Sequence, residues 1–232
     1  MLDFFVLTSQ KTGDRLPLDR KTILSHAFAI LNEAGLDGLT LRRLAAGLRV
    51  QAPAIYWHFK NKQELLDEMA TQVFREAVNE APRLDESQSW QDWASMYCFG
   101  LRRTLLRYRE GAKIYSGTYL TDPALYAPME ASLRKLTNSG FTLRQATISL
   151  GTLYSFVIGF VIEEQAVHPL PGQFNPQYDL THRNARVDKE TYPLAHAAGA
   201  EIFEGHDARF LEGIHLIVAG MASLIEVPPA EV

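Results

Sequence analysis

The segment from Thr40 to Lys62, which reads TLRRLAAGLRVQAPAIYWHFKNK, restricts the possible fold of this chain more than any other stretch. Thr40 is a residue type that caps helices, and apolar residues follow it at helical spacing. A second short helix begins near Pro53, since proline is tolerated in the first turn of a helix. Two short helices joined by a tight turn predict a helix-turn-helix unit, whose second helix enters the major groove of DNA.

The second helix of this unit leaves small, amide and aromatic residues for its outer face once the apolar positions are assigned to the inner face. Small side chains suit contacts to thymine methyl groups, and aromatic side chains pack well against phosphates. We therefore predict that this face contacts DNA through Gln51, Ala52, Pro53, Ala54, Tyr56, Trp57 and His58.

Thr40, Arg42 and Lys62 complete the predicted DNA interface. Arg42, at the start of the first helix of the unit, is predicted to make a bidentate contact to guanine O6 and N7. Thr40 and the backbone N–H groups beside it are predicted to bind a phosphate. Tyr56 and Lys62 are predicted as further phosphate contacts.

The distribution of charge, the cysteine count and the length of the apolar runs indicate the compartment in which the protein acts. Residues 1–62 hold nine Lys or Arg and five Asp or Glu, whereas residues 63–232 hold fourteen and twenty-two, so a basic head sits on an acidic body. Cys98 is the single cysteine, which excludes an intrachain disulfide and fits a reducing compartment. The longest apolar run, 148–162, is shorter than the roughly 20 residues that span a bilayer, and no signal peptide is indicated. We expect a cytoplasmic protein without a membrane segment.

The rest of the chain also shows helical patterns, and no strand pattern competes with them. Asp19, Thr40 and Asn61 are predicted to cap the first, second and fourth helices, and Gly35 is predicted to end the first. Further helices are predicted at about 90–108, 110–116, 123–138, 143–166, 189–203 and 207–225, with irregular segments at 81–89 and 168–179.

The stretch GLDGLTLRRLAAGLRVQAPAIYWHFKNKQELLDEM resembles the DNA-binding head of the tetracycline-repressor (TetR) family, over about residues 19–74. Further along, SWQDWASMYCFGLRRTLLRYREGAKIYSGTYL, LRKLTNSGFTLRQA and GFVIEEQ resemble the ligand-binding body of its tetracycline-responsive members. The resemblance implies a homodimer in which two helices of each subunit, here about 143–166 and 207–225, form a four-helix bundle beside an effector pocket. Both helices are apolar nearly all round, which favours the bundle, although burial within one subunit is the alternative.

The resemblance therefore predicts an all-α fold in three parts. Residues 1–18 form an N-terminal arm, and residues 19–80 form a three-helix helix-turn-helix DNA-binding domain with its connecting helix. Residues 81–232 form a helical ligand-binding and dimerisation domain.

The resemblance also implies ligand contacts at Tyr97, Leu101, Tyr115, Thr118, Ser132 and Glu163. Tyr115 stands where tetracycline-binding members have a metal-binding histidine, and a phenol that is protonated at neutral pH is a poor magnesium ligand. The histidines of the body show no metal-ligand spacing either, so we expect no cofactor and no metal site. Aromatic residues replace the polar drug contacts, with Phe156, Phe160 and Tyr119 added to the set, which favours a hydrophobic or aromatic ligand.

These patterns predict a ligand-responsive transcriptional regulator, a repressor that binds a pseudo-palindromic double-stranded DNA operator and is released by a small-molecule effector other than magnesium–tetracycline. The fourth helix is the predicted mechanical link, and the segment 110–118, with Gly111 and Gly117, is the predicted switch. The alternative is a ligand-sequestering protein on the same scaffold that binds no operator. An enzyme is not supported, because nucleophile–base pairs, phosphate loops and metal spacings are missing. The effector, the operator sequence and the choice between repressor and activator stay open at this level.

Overall fold

A computed structural model describes residues 18–81, 87–117, 119 and 121–226. These residues form an all-α structure, as predicted, and no strand occurs among them. The helices in the described ranges are α1 (Arg20–Gly38), α2 (Leu41–Gly47), α3 (Ala52–Tyr56), α4 (Lys62–Glu80), α5 (Trp90–Leu105), α6 (Gly111–Tyr115), α7 (Tyr126–Asn138), α8 (Leu143–Val167), α9 (Leu180–Asn184), α10 (Pro193–Phe203) and α11 (His206–Glu226).

The N-terminal helices begin where the sequence predicts caps. The side-chain oxygens of Asp19, Thr40 and Asn61 each accept a hydrogen bond from the backbone N–H three residues later, at 2.7, 3.1 and 2.9 Å. Gly35 has a φ of +71° and kinks α1 at the position where its end was predicted. The chain is helical again after this kink, up to Gly38. Residues 1–17 of the arm predicted at 1–18, and the residues after 226, lie outside the described residues.

The first three helices pack around one apolar core. Ile23, Leu44 and Ile55, from α1, α2 and α3, are fully buried in it. Two elements further along the chain also contribute: Met69 from α4 and Ile114 from α6 belong to the same cluster. The head is therefore in direct apolar contact with the body through α6.

A second core organises the rest of the chain around α8, which packs against α5, α6, α7 and α11. Helix α4 joins the two cores, because Met69 is buried in the head cluster and Val73, one turn later, is buried in the body cluster. Helix α4 is thus a continuous rod whose first half belongs to one core and whose second half belongs to the other.

Boundaries in the body differ from the predicted ones where turns intervene. Residues 123–125 form a 3-10 turn, and α7 begins only at Tyr126. Helix α10 begins at Pro193 rather than near 189, since the proline occupies its first turn. Helix α9, which Asp179 caps, was not predicted, because a helix of five residues is too short to show apolar periodicity.

Helices α8 and α11 are both long and apolar enough to cross a membrane by length and composition alone. Core helices of soluble proteins meet the same criterion. Only 33% of the most apolar window of α8 and 17% of that of α11 are buried within this chain. Each helix therefore presents a large apolar face that this single chain does not cover.

Candidate nucleic-acid interface and ligand site

Helices α2 and α3 present an exposed face with large aromatic side chains. Trp57 is 89% exposed and Tyr56 is 50% exposed, while the adjacent Ile55 is fully buried. Exposed aromatic side chains in a group have no structural role in the free chain and are typical of a binding surface. Gln51 and Pro53 are exposed on the same short helix, and the remaining predicted contacts Ala52, Ala54 and His58 are half-buried.

Two adjacent arginines at the start of α2 have different surroundings. Arg43 forms a salt bridge with Glu33 at 2.9 Å. Arg42 is exposed, and no carboxylate of the described residues lies within ion-pair distance of it. The Thr40 hydroxyl caps the same helix end. The exposed Arg42 guanidinium is therefore available to a partner.

Lys62 makes a contact that the sequence did not indicate. Its Nζ donates a hydrogen bond of 2.7 Å to the carbonyl oxygen of Leu36, near the C-terminal end of α1. The side chain is half-buried. Lys62 therefore joins the start of α4 to the end of α1 in the free chain.

The loop between α5 and α6 is hydrogen-bonded to the same end of α1. Glu110 Oε2 accepts a hydrogen bond of 2.7 Å from the Leu36 N–H. The backbone N–H of Leu36 is therefore bound by Glu110 and its carbonyl oxygen by Lys62. Burial raises the pKa of Glu110, but the hydrogen bonds from Leu36 and Lys113 outweigh that effect and lower it. A Cβ at Gly35 would lie 2.7 Å from Glu110 Oε2, so the contact requires glycine there.

Two further contacts support this fastening. The Arg109 N–H donates to Asn32 Oδ1 at 2.9 Å, and its Nε donates to the Asn32 carbonyl at 3.0 Å. The rings of Phe28 and Tyr108 lie 4.4 Å apart. We call the contact of Tyr108, Arg109 and Glu110 with Phe28, Asn32 and Leu36 the latch.

The two glycines of the predicted switch differ in their surroundings. A Cβ at Gly111 would lie 2.2 Å from the Leu105 carbonyl oxygen, so this glycine allows close packing. Gly117 has a φ of +70°, and no heavy atom of the described residues lies within 4 Å of the position that a Cβ would occupy there. Gly117 is therefore the conformationally open one of the two. Thr118, a predicted ligand contact, lies outside the described residues.

The predicted ligand residues of α5 and α6 lie together in the body core. Leu101 and Tyr115 are 6% and 8% exposed. The Tyr115 ring lies 6.1 Å from that of Tyr154, a residue of α8 that was not among the predicted ligand contacts. Tyr97 stacks on Trp93 at 5.8 Å. Burial raises the pKa of both Tyr97 and Tyr115, so these phenols stay neutral at physiological pH.

Phe156, Phe160 and Glu163 line a different space, a cavity of about 360 Å³ between α8 and the helices α10 and α11. Phe203 and Arg209 lie on its other side. We call this space the inner cavity. The predicted ligand residues of α5 and α6 thus lie at the tyrosine cluster of Tyr97, Tyr115 and Tyr154, whereas those of α8 line the inner cavity.

Two other candidates lie apart from both groups. The Ser132 hydroxyl donates to the Pro128 carbonyl of its own helix at 2.8 Å. Tyr119 is 76% exposed, so its side chain does not contribute to the buried lining that was predicted for it. Cys98 is fully buried, and burial raises its pKa to about 12, which makes it a core residue.

The neighbouring glutamates of α8 have opposite surroundings. Glu163 is exposed, whereas Glu164 is buried and accepts two hydrogen bonds from Arg102, at 2.8 and 2.6 Å. Arg102 also pairs with Asp207 at 2.7 Å and lies 4.8 Å from the Phe210 ring. Burial lowers the pKa of Arg102, but its bonds to Glu164 and Asp207 outweigh that effect and raise the pKa. This group ties α5, α8 and the start of α11 together.

No group of three or more His, Cys, Asp or Glu side chains suited to a metal ion occurs in the part of the chain that the structure describes. The buried phenols of the tyrosine cluster can donate or accept hydrogen bonds as neutral groups. The tyrosine cluster therefore combines aromatic rings with neutral polar groups, a combination that suits an apolar ring system.

Comparison with known proteins places both halves of the chain. The profile of "Bacterial regulatory proteins, tetR family" matches residues 23–69, and that of "Tetracyclin repressor-like, C-terminal domain" matches residues 81–225. The chain is 36% identical to the class D tetracycline repressor of Escherichia coli over 206 residues, which cover 88% of each. It is 38% identical to the class G repressor of Vibrio anguillarum over 208 residues, which cover 89% of this chain and 95% of that one.

Solved structures agree with the observed fold. A possible TetR-family regulator from Streptomyces coelicolor A3(2) superposes with a TM-score of 0.78 at 31% identity, covering 89% of this chain and 100% of that one. The Streptomyces coelicolor protein ActR in complex with actinorhodin superposes with a TM-score of 0.74 at 27% identity, covering 90% of this chain and 98% of that one.

Proposed function

This chain belongs to the TetR family of ligand-responsive DNA-binding regulators, and on that premise we propose that it is a repressor released from its operator by a hydrophobic or aromatic effector other than magnesium–tetracycline. Family members are transcriptional regulators rather than enzymes. The observation that carries the proposal is that Arg42, Tyr56 and Trp57 are all exposed on helices that are otherwise well packed. This exposure supports operator binding and disfavours a ligand-sequestering protein without DNA binding.

The proposed assignment of contacts follows from this exposure. We propose that Arg42 and Gln51 contact base edges. Ala52, Pro53 and Ala54 pack on thymine methyl groups. Tyr56, Trp57 and His58 lie along the sugar–phosphate backbone of the DNA. Thr40 and Lys62 bind phosphates, and Lys62 then exchanges its bond to Leu36 for a phosphate oxygen. We also retain the division into an arm at 1–18, a DNA-binding unit at 19–80 and a body at 81–232, and we place the protein in the cytoplasm, where family members act.

The effector class is supported by the lining of the body. The curated relatives are named as tetracycline repressors, yet this chain has Tyr115 in place of the histidine that the family pattern uses for metal. The neutral Tyr97 and Tyr115 phenols offer hydrogen bonds but no anionic oxygen for a hard cation. The relative ActR was solved with actinorhodin, which supports a ligand that is not tetracycline. We propose that Tyr97, Leu101, Tyr115, Thr118, Ser132, Phe156, Phe160 and Glu163 include the effector contacts.

An operator selection tests the proposed function. The purified full chain is incubated with a random-sequence duplex library, and the enriched site is used in gel shifts with and without aromatic compounds, all in EDTA. We expect a salt-dependent, pseudo-palindromic site whose binding is released by at least one aromatic compound without magnesium. Failure to enrich any site would overturn the proposed function, and release that occurs only when magnesium is added would overturn the effector class.

The uncovered apolar faces of α8 and α11 support a homodimer. Leu216 on α11 is 77% exposed and Ile148 on α8 is 52% exposed. A dimer that packs α8 and α11 of both subunits covers these side chains, and it supplies the two copies of α3 that a pseudo-palindrome requires.

Leu216→Glu is expected to prevent this dimer from forming. The substitution places two unpaired carboxylates in a symmetric apolar interface, so we expect the dimer dissociation constant to rise by about 100-fold or more. Sedimentation velocity at micromolar concentration measures it. Met129→Glu, on α7 and also exposed, is the matched control and should remain dimeric. A dimer of unchanged affinity in the Leu216 variant would place the interface elsewhere.

The latch and α4 provide the proposed route between effector and operator. Helix α6 packs on α4 and on α8, while its preceding loop holds the end of α1. An effector that shifts α6 therefore moves α4 and α1 together and changes the separation of the two heads. Operator binding and effector binding are then reciprocally coupled.

Glu110→Ala removes the hydrogen bond to the Leu36 N–H and is expected to weaken this coupling. Substitutions along such a network change coupling by about 2-fold to 30-fold. The measurement is the ratio of operator dissociation constants with and without a saturating effector. Glu130→Ala, an exposed glutamate of α7 paired with Arg134, should leave the ratio unchanged. Equal ratios in the two variants would show that the latch carries no signal.

A further inference from the structure

A second cavity, of about 790 Å³, lies on the outside of the body between α9 and α10. Its walls include the rings of Tyr178 and Phe203, and the lining groups that can carry a positive charge are His182, Arg183 and Arg186. None of the described side chains that line it is a carboxylate, although residues 63–232 as a whole are strongly acidic. We call this space the outer cavity. A local excess of cations in an acidic body attracts anions.

Arg183 is held in place by neutral acceptors. Its Nη2 donates to the Ala195 carbonyl at 2.6 Å, and its Nη1 donates to Asn184 Oδ1 at 2.9 Å and to the His196 carbonyl at 3.3 Å. A Cβ at Gly199 would approach Arg183 Nη1 to 2.4 Å, so glycine opens the notch that receives the guanidinium. The side chain is therefore oriented by the fold.

The charge of Arg183 has no carboxylate partner in the described residues. A guanidinium has five N–H donors, and the three bonds leave the Nε–H and one Nη2–H. A carboxylate has two acceptor oxygens and can accept hydrogen bonds from these remaining donors. The nearest acid in sequence, Asp179, caps α9 and lies 3.8 Å from His182. Arg186 also lines the outer cavity and is exposed.

The outer cavity shares a wall with the inner cavity. Tyr178 and Phe203 line both spaces, and their rings meet edge to face with centroids 5.7 Å apart. The Arg183 guanidinium lies 5.9 Å from the Phe203 ring. One molecule can therefore place an aromatic ring against this pair and an acidic group against Arg183.

We propose that the outer cavity is an acid-recognition subsite for aromatic carboxylates. Arg183 and Arg186 bind the carboxylate, and Tyr178 and Phe203 hold the ring at the entrance to the inner cavity. The inference rests on the proposed function, because it names the effector as an aromatic acid.

The test compares 2-naphthoate with 2-naphthamide, which has the same rings and no charge, by isothermal titration against the full-length protein. We expect the acid to bind about 10-fold tighter or more, because the amide has one neutral acceptor oxygen where the carboxylate has two charged ones. Arg183→Gln and Arg186→Gln should each reduce the preference for the acid while leaving amide binding unchanged. Arg134→Gln, an exposed arginine of α7, is the matched control and should keep the preference.

Equal affinity for the acid and the amide would overturn the proposal, and so would a preference that survives both Arg183→Gln and Arg186→Gln. Sulfate that binds the outer cavity as tightly as 2-naphthoate would indicate a general anion site and would also overturn the proposal. Since Arg183 packs α9 against α10, Arg186→Gln keeps the test valid if the Arg183 variant is misfolded. Operator binding by the unmodified protein is measured separately. If the protein binds no operator, the proposed function is contradicted. If only neutral aromatic compounds release it from the operator, only the acid-recognition subsite is contradicted.

Discussion

Replacing Arg42 by Ala is expected to weaken operator binding by about 30-fold to 10⁴-fold. Each bidentate arginine–guanine contact contributes about 1–3 kcal/mol of discrimination, and a dimer on a pseudo-palindrome makes two of them. The loss is therefore about 2–6 kcal/mol, at tenfold per 1.4 kcal/mol. Arg42 is exposed and unpaired in the described part of the chain, so the substitution should leave folding intact. Fluorescence anisotropy on the selected operator measures the change.

Arg43→Ala is the matched control because it removes the same side chain from the adjacent position of α2. Arg43 already forms a salt bridge with Glu33, and an exposed pair of this kind contributes about 0–1 kcal/mol. We expect operator affinity to change by less than about threefold. If Arg42→Ala behaves like the control, Arg42 does not read a base. A loss that is equal on all duplexes and reduces the salt dependence would instead make Arg42 a phosphate contact.

Glu164→Ala is expected to destabilise the protein by about 3 kcal/mol, because it leaves the buried Arg102 with only the solvent-exposed Asp207 as a charged partner. For a chain of this size, 1 kcal/mol corresponds to about 2–4 °C, so the melting temperature should fall by about 6–12 °C. Thermal unfolding at equal protomer concentration measures it, since dimerisation adds to apparent stability.

Glu163→Ala is the adjacent control. Its side chain is exposed, so its removal should change stability by about 0.5 kcal/mol or less. Replacing the whole pair, as Arg102→Met with Glu164→Leu, should recover most of the stability lost in Glu164→Ala, because no unpaired buried charge remains. Similar melting temperatures for the two glutamate variants would show that the buried pair contributes little.

The elements that were predicted correctly depend on neighbouring residues. Asp19, Thr40 and Asn61 cap helices through bonds to N–H groups three residues away, so a short stretch of chain contains all the information. The apolar spacing of α8 and α11 likewise placed two long helices. Helix α9 was missed because five residues carry no periodic signal.

The candidate site was only partly predictable, because its groups meet across long stretches of chain. The sequence grouped Tyr97 and Phe156 in one lining, yet the fold puts one in the tyrosine cluster and the other in the inner cavity. The outer cavity depends on Arg183 meeting the notch at Gly199, which follows from the packing of α9 on α10.

Local sequence was thus sufficient for the helix-turn-helix unit, the helical class and the family, since caps, apolar spacing and motif order all act over a few residues. It did not show which of Glu163 and Glu164 is buried, or that Glu110 fastens the body to α1. Those facts depend on partners 62 and 74 positions away, Arg102 and Leu36. Such pairs meet only when the apolar faces of whole helices pack, so their contacts are set by the three-dimensional arrangement.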